Sequence, residues 1–206
     1  MLQWIGLTVG FIIFAILHSF LAGRSFKRWL FSIAPGIRPF YRMLYNIFAL
    51  VTFWLWLQLL PTGGQVIYAI PAPYSYLLYG VQIASVAGLY WAARPLDNQA
   101  FVGTRQIYDY LRFDQFPDDL DEPAHELSFR GAYRHMRHPL YTFVILILIF
   151  RPEVTLRWAI LSLFCILYFW IGSIYEERKL LKQYGALYYR YRQQVPRFIP
   201  RLSNLR

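Results

Sequence analysis

Five apolar runs dominate this chain, at about residues 3–22, 41–60, 74–93, 140–150 and 154–174. Four of them approach or exceed the roughly 20 residues an α-helix needs to cross a hydrocarbon core about 30 Å thick. The other, Leu140 to Phe150, rises only about 16 Å as a helix, which is short for a full crossing. In lipid, backbone polar groups must be satisfied within a segment or by a closed barrel. Runs of this length and density therefore predict an all-α, polytopic membrane bundle in a single domain of 206 residues. Composition agrees, since 57% of residues are hydrophobic and mean hydropathy is positive, against the usual 45–50% apolar of soluble domains.

Charge sets the topology. The chain carries 21 basic and 11 acidic residues, a formal net charge of +10. In a soluble protein that excess would suggest nucleic acid. Here the bases flank apolar runs, which points to membrane lipids and excludes nucleic acid as the partner. No Lys or Arg precedes the first run, which argues against a cleaved leader. Arg24, Lys27, Arg28, Arg38 and Arg42 follow it, so the first connection is expected in the cytosol and the N-terminus outside. The uncharged, Pro- and Gly-containing loop 61–73 reads as an external turn, and Arg94-Pro95 closes the third run on the cytosolic side. Runs four and five then form a hairpin that starts and ends in the cytosol, where the C-terminus also lies. A bacterial inner membrane or its equivalent is the expected location.

Smaller features follow. Gly80, Ala84 and Gly88 share one face of the third run and predict close helix packing. The lone Cys165, inside the fifth run, allows no intrachain disulfide and reads as a small buried hydrophobe. Asp114, Asp118, Asp119, Asp121, Glu122 and Glu126 read as a solvated acidic loop. Beyond the fifth run, Leu180, Tyr184, Leu187, Tyr188 and Tyr191 fall at helical spacing, with Lys182, Arg190 and Arg192 largely elsewhere. That stripe predicts an amphipathic surface helix, closed by Val195–Pro200.

Residues 131–141, Gly-Ala-Tyr-Arg-His-Met-Arg-His-Pro-Leu-Tyr, stand at the start of the hairpin. Pro139 suits the first turn of a helix. Arg137 and His138 then lie beside its positive end and free N–H groups, a ready place for a carboxylate. A plain basic anchor at a membrane edge would use the same residues. The hairpin, however, returns Glu176-Glu177 to the same side, so cations, a helix start, paired carboxylates and tyrosines should meet there.

The order of these elements is more specific than their charges. Gly131-x-Tyr133-x-x-x-Arg137-His138-Pro139-x-Tyr141, a hairpin, Glu176-Glu177-x-x-Leu180, Tyr184-Gly185-x-x-Tyr188-x-x-Tyr191 and a closing Val195-Pro196…Ile199-Pro200 resemble the integral-membrane methyltransferases typified by isoprenylcysteine carboxyl methyltransferase and the phospholipid N-methyltransferases. In the front half, His18-Ser19-x-Leu21-Ala22, Tyr41-Arg42-x-Leu44-Tyr45-Asn46 and Phe101-Val102-Gly103-x-Arg105-Gln106 look like methanethiol S-methyltransferases and NnrU-like membrane proteins. The resemblance implies S-adenosylmethionine as methyl donor and a small-molecule or lipid acceptor, most simply a thiol. It makes Tyr133, Arg137, His138, Pro139, Tyr141, Glu176, Glu177 and Tyr188 the candidates for holding the donor, with Arg137 and His138 also the candidate catalytic residues.

These residue types suit that ligand. Arg137 and the helix start would take its carboxylate. Glu176 or Glu177 would accept from ribose hydroxyls or the ammonium. Tyr141, Tyr188 or another tail tyrosine would face the adenine or the sulfonium. A thiol acceptor needs deprotonation, which His138, His135 or Arg137 would favour. A Gly-rich strand-to-helix turn is missing from the sequence, so the donor would be held by the hairpin and tail. One competing resemblance, to zeta-carotene isomerase, would place haem on His18 and His138. The residues themselves would also allow a metal site built from His125, His135 and His138 with loop acids, but their spacing does not put two ligands on one helical face, and no metal is expected. A non-catalytic membrane protein retaining the fold is the remaining alternative.

Overall fold

The computed structural model describes residues 2–62, 64–114 and 129–200. Asp118, Asp119, Asp121, Glu122, Glu126 and His125, on which the acidic-loop and metal-site readings rest, lie outside the described residues. The chain divides into two compact units, Met1–Leu60 with Leu96–Leu127, and Pro61–Pro95 with Ser128–Arg206. Four helices are long and apolar enough to cross a membrane, and a fifth apolar helix is shorter.

In the first unit, α1 (Leu2–Ala22) packs on α3 (Arg38–Leu57). α3 starts three residues before the apolar run, because Pro39 is accommodated in a first helical turn. Trp56 donates to the Leu7 carbonyl at 3.0 Å, and the Tyr41 hydroxyl to that of Leu21 at 2.6 Å. The basic connection between them is itself helical, α2 (Arg24–Ile33). Two short helices, α5 (Asn98–Val102) and α6 (Thr104–Phe113), pack against α3. Gly103 separates them at φ +101°, and a Cβ there would approach the Met43 backbone nitrogen to 2.6 Å.

In the second unit, α4 (Tyr74–Ala93) lies along α7 (Pro139–Ile149). Gly88 meets the Phe143 ring, and Gln82 donates to the Ile147 carbonyl at 3.1 Å. Of the three small residues expected to pack, only Gly88 does so. A Cβ at Gly80 would meet nothing within 4 Å, and Ala84 is exposed.

The uncharged loop contributes a strand, β1 (Val66–Ala69), antiparallel to β2 (Glu153–Thr155) in the turn after α7. This ribbon explains how an apolar helix of 11 residues serves beside one of 20. Beyond the end of α7, the unit continues as ribbon rather than helix. Thr155 then caps α8 (Leu156–Tyr184), accepting from the Trp158 N–H at 3.3 Å.

At 29 residues, α8 rises about 43 Å, well beyond an apolar core of about 30 Å. Its uncharged part ends at Tyr175, so Glu176 to Tyr184 project past the apolar layer. Here the reading of one tail helix from Leu180 to Tyr191 is corrected. Gly185, at φ +53°, ends α8, and α9 (Ala186–Gln194) starts afresh. The stripe is split accordingly: Tyr188 is buried and Leu187 exposed.

Candidate active site

The site is built at the projecting end of the α7–α8 hairpin, within the second unit. Pro139 begins α7, and His138 is its N-cap residue at φ −123°, ψ 62°. On α8, Trp170, Ser173 and Glu177 share one face at i, i+3 and i+7 spacing. After α9, residues 195–198 cross back over the start of α7. The Arg137 N–H donates to the Pro196 carbonyl at 2.9 Å and the His138 N–H to that of Arg197 at 3.0 Å. Thr142 Oγ1 donates to the Phe198 carbonyl at 3.1 Å.

Arg137 is engaged throughout. Its Nε and Nη2 each reach Glu177 Oε1 at 2.9 Å. Its Nη1 donates to the carbonyls of Arg192 at 2.7 Å and Val195 at 3.0 Å. With the side chain 9% exposed, Arg137 faces the protein and ties three segments together. The Arg137 guanidinium and the N–H groups of Arg137 and His138 thus all have acceptors within the protein.

The two glutamates divide the work. Glu177, 2% exposed, receives Arg137, His138 Nε2 at 3.2 Å, and Arg197 through Nε on Oε1 and Nη2 on Oε2, both 3.0 Å. Glu176, 45% exposed, accepts the Tyr141 hydroxyl at 2.9 Å, and its Oε2 lies 3.4 Å from His138 Nδ1. Burial alone would raise the Glu177 carboxyl. The hydrogen bonds from His138 and Arg197, with the charges of Arg137 and Arg197, outweigh it and hold the group down at about 2. Burial likewise opposes charge on His138, but hydrogen bonds and charge from Glu176 and Glu177 raise it above its ordinary value.

Aromatic rings wall the cluster. His138 and Tyr141 stack at 5.2 Å and 5°, and Tyr141 stacks on Phe169 at 5.0 Å and 14°. Phe198 contacts His138 and Trp170, and the Arg197 guanidinium lies 5.9 Å over the Trp170 ring. Tyr188 is buried beside the charges, and Tyr191 donates to the Tyr133 carbonyl at 2.6 Å. Burial foremost raises the hydroxyls of Tyr133, Tyr188 and Tyr191, so they stay protonated.

All eight residues read from the sequence thus lie in this unit, but they divide between an inner network and an outward edge. Arg197, Phe169, Trp170 and Phe198 were missed. The signal for Arg197 was its place inside the Val195–Pro200 closing run, one residue after a proline. The front-half motifs have packing roles in the first unit. Asn46 donates to the carbonyls of Phe101 and Val102 at 3.0 Å, and buried Gln106 to that of Ala100 at 3.0 Å. Arg105 pairs with Asp97, which caps α5. The Tyr45 hydroxyl lies 2.8 Å from His18 Nε2, a hydrogen bond between spans.

A multi-pass helical membrane protein with a built, ion-paired site at one end of a hairpin is the class defined by these features. No family model matches the chain, and no solved structure matches it. Curated relatives do. It is 30% identical over 194 residues to methanethiol S-methyltransferase 2 of Bradyrhizobium diazoefficiens, covering 92% of this chain and 70% of the relative. It is 28% identical over 203 residues to methanethiol S-methyltransferase of Crocosphaera subtropica, covering 91% and 71%. The enzyme of that name from Mycobacterium tuberculosis is 25% identical over 193 residues, covering 91% and 74%. The chain belongs to the methanethiol S-methyltransferase family, and it is a membrane methyltransferase.

Proposed function

We propose that this protein transfers the methyl group of S-adenosylmethionine to a small thiol at the cytosolic face of the membrane, with its N-terminus outside. The observation that carries the reading is the exposed Glu176 carboxylate, which accepts the Tyr141 hydroxyl and lies against the buried His138–Glu177 network. The relatives' names support the thiol. The donor set suits the methyl donor: an accessible carboxylate for ribose hydroxyls, with aromatic side chains beside it.

When bound, the donor supplies a methyl group on a good leaving group. The chain must then add alignment, exclusion of water and a thiolate. Phe169, Tyr141 and Phe198 supply the apolar walls. The two glutamates beside His138 raise its pKa, so the imidazolium it forms favours negative charge on an acceptor sulfur nearby, and the thiol proton leaves to solvent. Arg137 and Glu177 act as positioning residues that fix the ring of His138.

Transfer of labelled methyl from S-adenosylmethionine tests the reading, with methanethiol, prenylcysteine and an aminophospholipid as acceptors. A volatile labelled thioether is expected. Label in lipid or prenylcysteine alone would overturn the thiol assignment. The haem alternative would require His18 to exchange Tyr45 for iron, and a Soret band after haem addition would reopen it.

A further inference from the structure

With Arg137 turned inward, the carboxylate of the donor needs another cation. A cleft of about 750 Å³ opens between residues 129–134 and α9, a size suited to a small ligand. Arg134 stands on one wall and Arg190 on the other. Both are exposed, and neither has a carboxylate partner among the described residues. Phe129 and Tyr191 line the same cleft, their rings 4.6 Å apart and tilted by 56°. Val195 also lines it, and its carbonyl is one of the acceptors for Arg137. The cleft is thus positive at both walls and backed by a third guanidinium, an arrangement that concentrates anions.

Tyr133 links this cleft to the outward edge. Its carbonyl receives Tyr191, while the charge of Glu176 acts on its hydroxyl. An elongated ligand that reaches Glu176 at one point therefore has the cleft beside it.

We propose that Arg134 and Arg190 bind the amino-acid carboxylate of the methyl donor in this cleft, leaving Glu176 to the ribose hydroxyls. The assignment rests on the donor reading above and adds two residues to it. Guanidinium groups suit the task because their paired N–H donors match a carboxylate.

Calorimetry with two ligands tests it. S-adenosylhomocysteine carries the amino-acid group, whereas 5′-methylthioadenosine retains the adenine and ribose without it. Arg134→Gln and Arg190→Gln should each weaken S-adenosylhomocysteine about tenfold. Binding of 5′-methylthioadenosine should be unchanged, which also shows that the variants are folded. Arg190→Lys should recover part of the loss. Equal weakening of both ligands, or unchanged S-adenosylhomocysteine affinity, would overturn the assignment while leaving the donor reading intact. A wild-type protein that binds neither ligand would remove the donor reading, and this site with it.

Discussion

Arg197 grips both oxygens of the Glu177 carboxylate, Nε on Oε1 and Nη2 on Oε2, each at 3.0 Å. A planar, two-point grip of this kind holds a carboxylate in one orientation. It also anchors residues 195–198 across the hairpin. Replacing Arg197 by Ala leaves a buried carboxylate with one cation fewer. We expect a loss of about 2–3 kcal/mol, seen as a lower unfolding midpoint in detergent. Arg197→Lys should restore only part, since an ammonium cannot make the paired contact. An unchanged midpoint in Arg197→Ala would show that the grip contributes nothing.

Adjacent glutamates should respond differently to the same change. Glu176→Gln should keep the wild-type unfolding midpoint and weaken S-adenosylhomocysteine about tenfold. Glu177→Gln should lower the midpoint, by about 2–4 kcal/mol, because three cationic groups lose their shared counter-charge. Calorimetry and thermal unfolding on both variants check this, and matching behaviour would refute the division of roles.

The pH dependence of stability follows from the same pair. The Glu177 pKa is depressed, from 4.5 to about 2. Its contribution is complete above 4.5 and is lost as pH falls through 2. The His138 pKa is raised above 6.5, so its contribution is complete below 6.5 and is lost as pH rises through the higher folded value. Stability should thus decline on the alkaline side before any acid loss from Glu177. His138→Asn should flatten the alkaline limb of midpoint against pH, and an unaltered limb would exclude His138 as its source.

Gly88 tests the α4–α7 contact. A Cβ there would overlap the Phe143 ring, so Gly88→Ala should cost about 1–3 kcal/mol. Gly80→Ala, where there is open space, should be neutral or slightly stabilising. Unfolding of the two variants in detergent distinguishes them, and equal midpoints would mean that the ring moves aside freely.

Much of the frame was legible because membrane spans advertise themselves by length. The third run coincides with α4, and Pro139 begins α7 as its chemistry requires. The far end of α8 was less legible. A change from apolar to charged residues at Glu176 marks the edge of the lipid layer, but a helix need not stop there. The run Val66-Ile67-Tyr68 has strand-forming residues, yet its partner is a strand of only three residues, too short to stand out from the turn around it. Glu176 and Glu177 show the deeper limit. Successive residues on a helix point about 100° apart, so one enters the protein and the other leaves it. Which does which depends on Arg137 and Arg197, located 40 and 20 residues away. Likewise, the sequence shows that Arg137 has donors without showing that carbonyls 55 and 58 residues distant accept them.

Those distant acceptors make Arg137 a cooperative joint. The guanidinium connects the start of α7 to α8 and to the end of α9, so none of the three can detach without breaking bonds held by the others. Local opening should therefore spread across the joint instead of fraying from one helix, and amide hydrogens at 137–138 and along α9 should exchange with solvent on a common timescale.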